Sequence, residues 1–289
     1  MESLNLKVLP FAFAALIFSF LTFNTATRLI SSFEILLDIT QVISFLVQLA
    51  LYTSLTTLSI SLVLSQLQRI YFRMGLFFLI LLPYISVFIL KYLVDPLTAL
   101  AILVLFAAMV FSILMEFNHL YANQIKTRIE TPSRANARTI TFFIGLVTAI
   151  TFFAINNNPV SQEEISNKLL DQLTQSIAVA IEDYNLVEAL SGQVGTSQLT
   201  QTSLGQQAIR QAQPQINTLV TNQIVSMVTP YLPYVIYIIT LLIFATIAGA
   251  STLIGIFTTI IGYLLVKLLK AVGYLVEVKQ TVEVTRLTL

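Results

Sequence analysis

The chain has 289 residues, 56% of them hydrophobic and 10% charged, with a net charge of +1. Soluble domains carry about 25% charged residues, so this composition points to several spans of about 20 apolar residues in a lipid bilayer rather than to one large soluble core. The near-neutral balance argues against a nucleic-acid partner or an acidic substrate, and the lack of cysteine excludes disulfides, zinc–thiolate centres and cysteine nucleophiles.

Taken in order, the apolar runs predict an all-α, polytopic helical membrane protein of about six spans. The first covers Val8–Ala26, and we read it as a span rather than a cleaved leader. The second is Ile39–Leu64. The third, Met74–Leu93, contains Pro83, which predicts a kink. Asp95-Pro96 predicts a tight turn before the fourth span, Leu97–Met115. Asn118–Arg138 reads as a polar loop and Thr139–Ile155 as the fifth span. Tryptophan is absent, so Tyr71, Tyr92, Tyr121, Tyr231, Tyr234 and Tyr274 must supply the interfacial aromatic belt.

Residues 156–229 form the one long polar segment. Ser161 and Glu164 have the spacing of a capping box, as do Ser203 and Gln206. Ile165, Leu169, Leu173, Ile177, Ile181 and Tyr184 recur at helical spacing and predict an amphipathic helix. A second, poorer face runs from Ile209 to Met227. Two such helices bury little alone, so they are expected to pack on each other, on the membrane or on another copy.

The run Tyr231–Tyr274 exceeds what one straight crossing needs. It carries no polar turn, which predicts one span bent near Gly249–Gly255 and continuing inward. The domain plan is then a five-span block over 1–155, a helical segment over 156–229, the final helix over 230–274 and a tail over 275–289. In that tail Val276, Val278, Val282 and Val284 alternate with polar residues, a strand-like pattern. A lone strand is unstable, so an ordered tail would pair with a neighbouring subunit or a partner.

Orientation follows from Lys and Arg. With the N-terminus inside, Lys7, Arg69, Arg73, Lys126, Arg128, Arg134, Arg138, Lys267, Lys270, Lys279 and Arg286 face the cytoplasm. Arg28, Lys91, Lys168 and Arg210 face out, which places all fifteen of the chain's basic residues. This bias predicts a protein of the plasma (cytoplasmic) membrane with cytoplasmic termini and an exoplasmic 156–229 segment.

Two faces stand out. In span two, Gln41, Ser44, Gln48, Tyr52, Thr56 and Ser59 share one side of a helix, and Glu34 and Asp38 extend it to the outer mouth. Such a face is either a hydrophilic path for an ion or small solute or hydrogen-bonding glue between helices. No charge sits at mid-depth, which favours glue. In the final run Ala248, Thr252, Gly255, Thr259 and Gly262 form a small-residue packing face. Glu116 and His119 have the spacing used in di-iron bundles, but His119 is the chain's single histidine, so neither a metal nor another cofactor is expected. No catalytic constellation and no inverted duplication of transporter type is visible. The leading expectation is a non-enzymatic assembly or scaffold protein in the lipid bilayer, acting as a homo-oligomer or with a membrane-protein partner. The alternative is a channel or transporter using span two.

Overall fold

The computed structural model describes residues 8–66, 70–122, 130–183, 218–219 and 222–274. Their regular structure is entirely helical. We label the main helices α1 (Leu9–Ala26), α2 (Ile39–Gln66), α3 (Ile70–Ile85), α4 (Pro96–Ala122), α5 (Glu130–Asn156), α6 (Pro159–Asp183), α7 (Val235–Gly249) and α8 (Ser251–Ala271). Among the described residues five stretches are long and apolar enough to cross a membrane: Leu9–Ser31, Ile39–Ser65, Pro96–His119, Thr131–Asn156 and Asn222–Ala271. The chain divides into two compact units, one made of residues up to Ala154 together with those from Leu241 on, the other of Ile155–Thr240. The strand-like tail from Val276, Tyr184, the Ser203–Gln206 capping box and the second amphipathic face from Ile209 to Asn217 lie outside the described residues.

In the first unit α2 is the central helix. Of its best apolar window 67% is buried, against 33% for α1 and 22% for α4. Thr53, Ser54 and every residue from Thr56 to Leu64 are buried, so the middle of α2 is covered on all sides. A surface helix buries one stripe and a fully enclosed one has no exposed face. α1 lies along α2 and α3, and α8 lies along α2. α1 presents Ala15, Ser19, Thr22, Phe23 and Ala26, all buried and all on one side.

Tyr84 of α3 anchors a second cluster. Its ring centroid lies 5.3 Å from that of Phe23, 5.2 Å from Phe88 and 4.8 Å from Phe106. Its hydroxyl donates to the Ile102 carbonyl at 3.1 Å, so the buried phenol is not left unsatisfied. One residue thereby ties α1, α3 and α4 together.

Three local expectations are corrected. The third span departs from a regular crossing: α3 ends at Ile85 and a π-helical turn, Ser86–Leu90, follows. Pro83 lacks an N–H and disturbs the ladder, and the wider turn absorbs the mismatch. Ser86 Oγ donates to the Pro83 carbonyl at 2.9 Å. The polar stretch Asn118–Arg138 is also helical at both ends, since α4 runs to Ala122 and α5 starts at Glu130. Finally, α6 begins before Ser161. Asn158 is the cap, its Oδ1 accepting from the Ser161 amide at 2.9 Å, and Pro159 occupies the first helical position. Asn followed by Pro outcompetes a capping box two residues later, because proline's missing donor costs nothing there and its φ is preset.

Asp95 caps α4 in the same manner, accepting from the Leu97 and Thr98 amides at 3.0 Å each. Leu93, just before it, has φ 48°, the left-handed conformation that reverses the chain. Between α7 and α8 the helix is irregular only at Ala250, which stays right-handed (φ −71°, ψ −9°). Its amide donates to Thr246 and its carbonyl accepts from Ile254, so the hydrogen-bond ladder continues across the joint.

In the second unit, described by itself, α6 buries Ile165 and half-buries Leu169 and Leu173, while Glu163, Glu164, Lys168 and Asp171 are exposed. Lys168 pairs with Glu164 at 3.0 Å on that polar side. Such an exposed pair contributes only about 0.3–0.5 kcal/mol. A 3-10 turn over Thr229–Tyr234, carrying Pro230 and Pro233, leads into α7.

Candidate functional site

The span-two face divides into an outer and an inner half. Asp38 caps α2, accepting from the Thr40 amide at 2.8 Å and from the Gln41 side chain at 3.0 Å. These bonds, the Thr40 amide first, hold its carboxyl below the usual carboxylate range. Gln41 and Ser44 are exposed, and Glu34, Gln48 and Tyr52 are half-buried. Gln48 Oε1 accepts from Arg28 at 2.7 Å. The inner half is closed: Thr56 and Ser59 are buried, and Thr56 Oγ1 lies 3.0 Å from Thr22 Oγ1 of α1.

The hydroxyls of α2 reach three neighbours. Thr56 meets Thr22 of α1, and Ser54 meets Thr258 of α8 at 2.9 Å. Ser61 accepts from Asn136 of α5 at 3.5 Å. Of these α2 residues the sequence pattern picks out Thr56 alone. Ser54 and Ser61 lie off the stripe because α2 is bonded on several sides, not one.

The final run shows a similar shift. α8 buries Ile254, Gly255, Thr258 and Gly262. Thr259 is half-buried and donates to the Gly255 carbonyl at 2.9 Å, while Thr252 is exposed. Ala248 sits at a close approach: a Cβ on Gly145 of α5 would stand 3.2 Å from the Ala248 amide nitrogen and 3.3 Å from Ile247 Cβ. Gly145 escapes the sequence reading because it stands alone in its span. On the adjoining side Ala245, Gly249 and Thr252 are all exposed, and a Cβ on Gly249 would meet nothing within 4 Å.

A third locus lies between α4, α5 and the start of α8. Ser112, Glu116, Arg138, Thr139, Phe142, Phe143 and Ser251 line an open cleft of about 330 Å³. Glu116 Oε2 accepts from Thr139 Oγ1 at 2.8 Å. His119, its partner in the Glu-x-x-His spacing, is exposed.

The opposite end of the bundle carries cations. Lys91 Nζ donates to Asn24 Oδ1 at 3.3 Å and Thr27 Oγ1 at 3.4 Å, and Tyr92 donates to the Thr27 carbonyl at 3.1 Å. Phe11 and Tyr274 meet edge to face, 5.5 Å between centroids, so the start of α1 and the end of α8 share one end of the bundle. No protein-family model matches this chain, and neither does any curated protein or solved structure.

Proposed function

We propose that this chain is a non-enzymatic assembly protein of the membrane, working by helix-to-helix pairing with a second copy of itself. The observation that carries the reading is the open face Ala245, Gly249 and Thr252. These residues are spaced as one side of a helix and are all exposed, among the large exposed side chains Leu241, Leu242, Leu253 and Ile256. Small residues in such a row let two helix backbones approach within a bilayer. The bundle itself uses the neighbouring side, where Ala248 meets Gly145 of α5 and Gly255 meets Arg134 and Arg138.

The channel reading has less support. Its polar stripe runs into helix contacts at Thr56 and Ser59. The proposed orientation places both termini in the cytoplasm and residues 156–229 outside. The eleven-to-four distribution of Lys and Arg supports it, as does the meeting of Phe11 with Tyr274.

Subunit counting by photobleaching in bilayers tests the assembly reading. The native chain is expected to be multimeric, and Gly249→Leu monomeric with thermal stability no lower than native, since a Cβ there enters open space and leucine is the better helix former. A native chain that stays monomeric at every protein-to-lipid ratio overturns the proposal.

A further inference from the structure

The cleft between α4, α5 and α8 combines features that the assembly face does not use. Arg138 lines it, and Arg134 lies one turn away on the same helix. A Cβ on Gly255 would stand 3.3 Å from Arg134 Cγ and 3.3 Å from Arg138 Nε, so both arginine stems cross the bare backbone of α8 at this glycine. Both arginines are exposed, and neither forms an ion pair among the described residues. Across the cleft stands Glu116, half-buried, with Oε2 taken by Thr139 and Oε1 without a partner among the described residues. Ser112 and Ser251 add hydroxyls, and Phe142 and Phe143 add an aromatic wall. By sequence, Glu116 directly follows the apolar run of α4, and Arg138 directly precedes that of α5. The cleft therefore sits where charged and apolar chain meet.

A guanidinium matches phosphate oxygens in geometry and charge. A carboxylate beside it repels a purely anionic ligand and welcomes an ammonium. An aromatic wall next to both suits the start of an acyl chain. We propose that this cleft binds a zwitterionic phospholipid bearing a primary amine. Its phosphate sits on Arg138 with Arg134 in reserve, its ammonium on Glu116, and its acyl chain along Phe142. A primary ammonium offers three N–H donors, whereas the trimethylammonium of a choline lipid offers none. The site therefore prefers ethanolamine over choline headgroups at equal net charge.

The test is native mass spectrometry of the full chain titrated with phosphatidylethanolamine, phosphatidylcholine and phosphatidylglycerol of identical acyl chains. The native protein is expected to bind the ethanolamine lipid about tenfold tighter than the choline lipid, the difference that charge-assisted hydrogen bonds to the carboxylate supply. Glu116→Gln should remove that preference and leave phosphatidylglycerol binding intact or improved. Arg138→Gln should weaken all three lipids. Equal binding of the ethanolamine and choline lipids by the native chain overturns the proposal, as does tighter binding of phosphatidylglycerol. These comparisons use native protein and hold even where a variant fails to fold. Soluble phosphoethanolamine should compete poorly, and competition equal to that of the lipid overturns the acyl-chain assignment.

Discussion

Ser54 Oγ and Thr258 Oγ1 lie 2.9 Å apart in the buried middle of the bundle, joining α2 to α8. Thr258 also donates to the Ile254 carbonyl at 2.8 Å. A hydroxyl has one proton, so Ser54 is the donor across the helices and Thr258 the acceptor. The Thr22–Thr56 pair differs. Both of those hydroxyls lie within bonding distance of their own helix, Thr22 at 2.7 Å from Phe18 O and Thr56 at 2.9 Å from Tyr52 O. Three contacts compete there for two protons.

A double-mutant cycle should therefore rank the two pairs. Ser54→Ala with Thr258→Val is expected to show coupling of about 0.6 kcal/mol or more, the usual range for interhelical hydrogen bonds in bilayers. Thr22→Val with Thr56→Val should show less. Reversible unfolding in lipid or detergent measures both, and equal couplings would remove the proton assignment.

Much of this arrangement was legible in the residues, and the exceptions have physical causes. The long apolar runs announce themselves by hydropathy alone, as at Leu97–Met115. The helical ends of the Asn118–Arg138 stretch are hidden because its polarity reads as loop. Arg, Glu and Ala there are good helix formers regardless of solvent exposure. The small-residue stripe at Ala248, Thr252, Gly255, Thr259 and Gly262 follows a period of 3.5, whereas a straight helix turns every 3.6 residues. The stripe drifts, so Gly255 and Gly262 are buried while Thr252 is exposed, and Thr258 enters the buried side. The partners of Ser54 and Ser61 are set by tertiary packing, which no periodicity in α2 encodes.

The glycines should separate by what surrounds them. Gly145→Ala brings a Cβ to 3.2 Å from the Ala248 backbone nitrogen, which cannot swing away. Gly255→Ala meets only arginine stems at 3.3 Å, which can. Gly75→Ala and Gly249→Ala meet nothing and gain helix propensity, worth up to about 1 kcal/mol. The expected stability order is Gly249→Ala and Gly75→Ala above native, Gly255→Ala near native, and Gly145→Ala lowest. Thermal melts in one detergent decide it, and a Gly145→Ala protein as stable as native would rule out the close α5–α7 approach.

Acid should loosen the α4 cap. The Thr98 hydroxyl and the Thr98 and Leu97 amides, the hydroxyl first, hold the Asp95 carboxyl below its ordinary value. A carboxyl depressed in the folded state contributes stability above its unfolded value near 3.9. That contribution is lost as pH falls through the lower, folded value. Asp95→Asn keeps a good cap without a charge, so the variant should lose less stability than native between about pH 4 and pH 2. Parallel acid-denaturation curves for the two proteins would contradict this.

Ion flux offers a direct contest between the two functional readings. Under the assembly reading, liposomes carrying the native chain should leak no faster than empty ones. Should they conduct, Gln48→Leu combined with Asp38→Asn is the informative variant. It releases Arg28 from Gln48 and uncharges the carboxyl at the mouth of the stripe. Conduction abolished by this pair would favour a path along α2 over assembly, and conduction unaffected by it would place any path elsewhere.

The orientation can be read chemically because the native chain has no cysteine to mask. Asn157, between α5 and α6, and Val272, past the end of α8, are both exposed. Neither position needs a buried contact, so Asn157→Cys and Val272→Cys should fold as native. In sealed right-side-out vesicles an impermeant maleimide is expected to label Asn157→Cys at once. Val272→Cys should react only after permeabilisation, because the proposed orientation puts that end, with Lys267 and Lys270, on the cytoplasmic side. A reagent-accessible Val272→Cys with a protected Asn157→Cys would invert the topology. Labelling of both from outside would mean that the stretch after Asn222 does not carry the chain across.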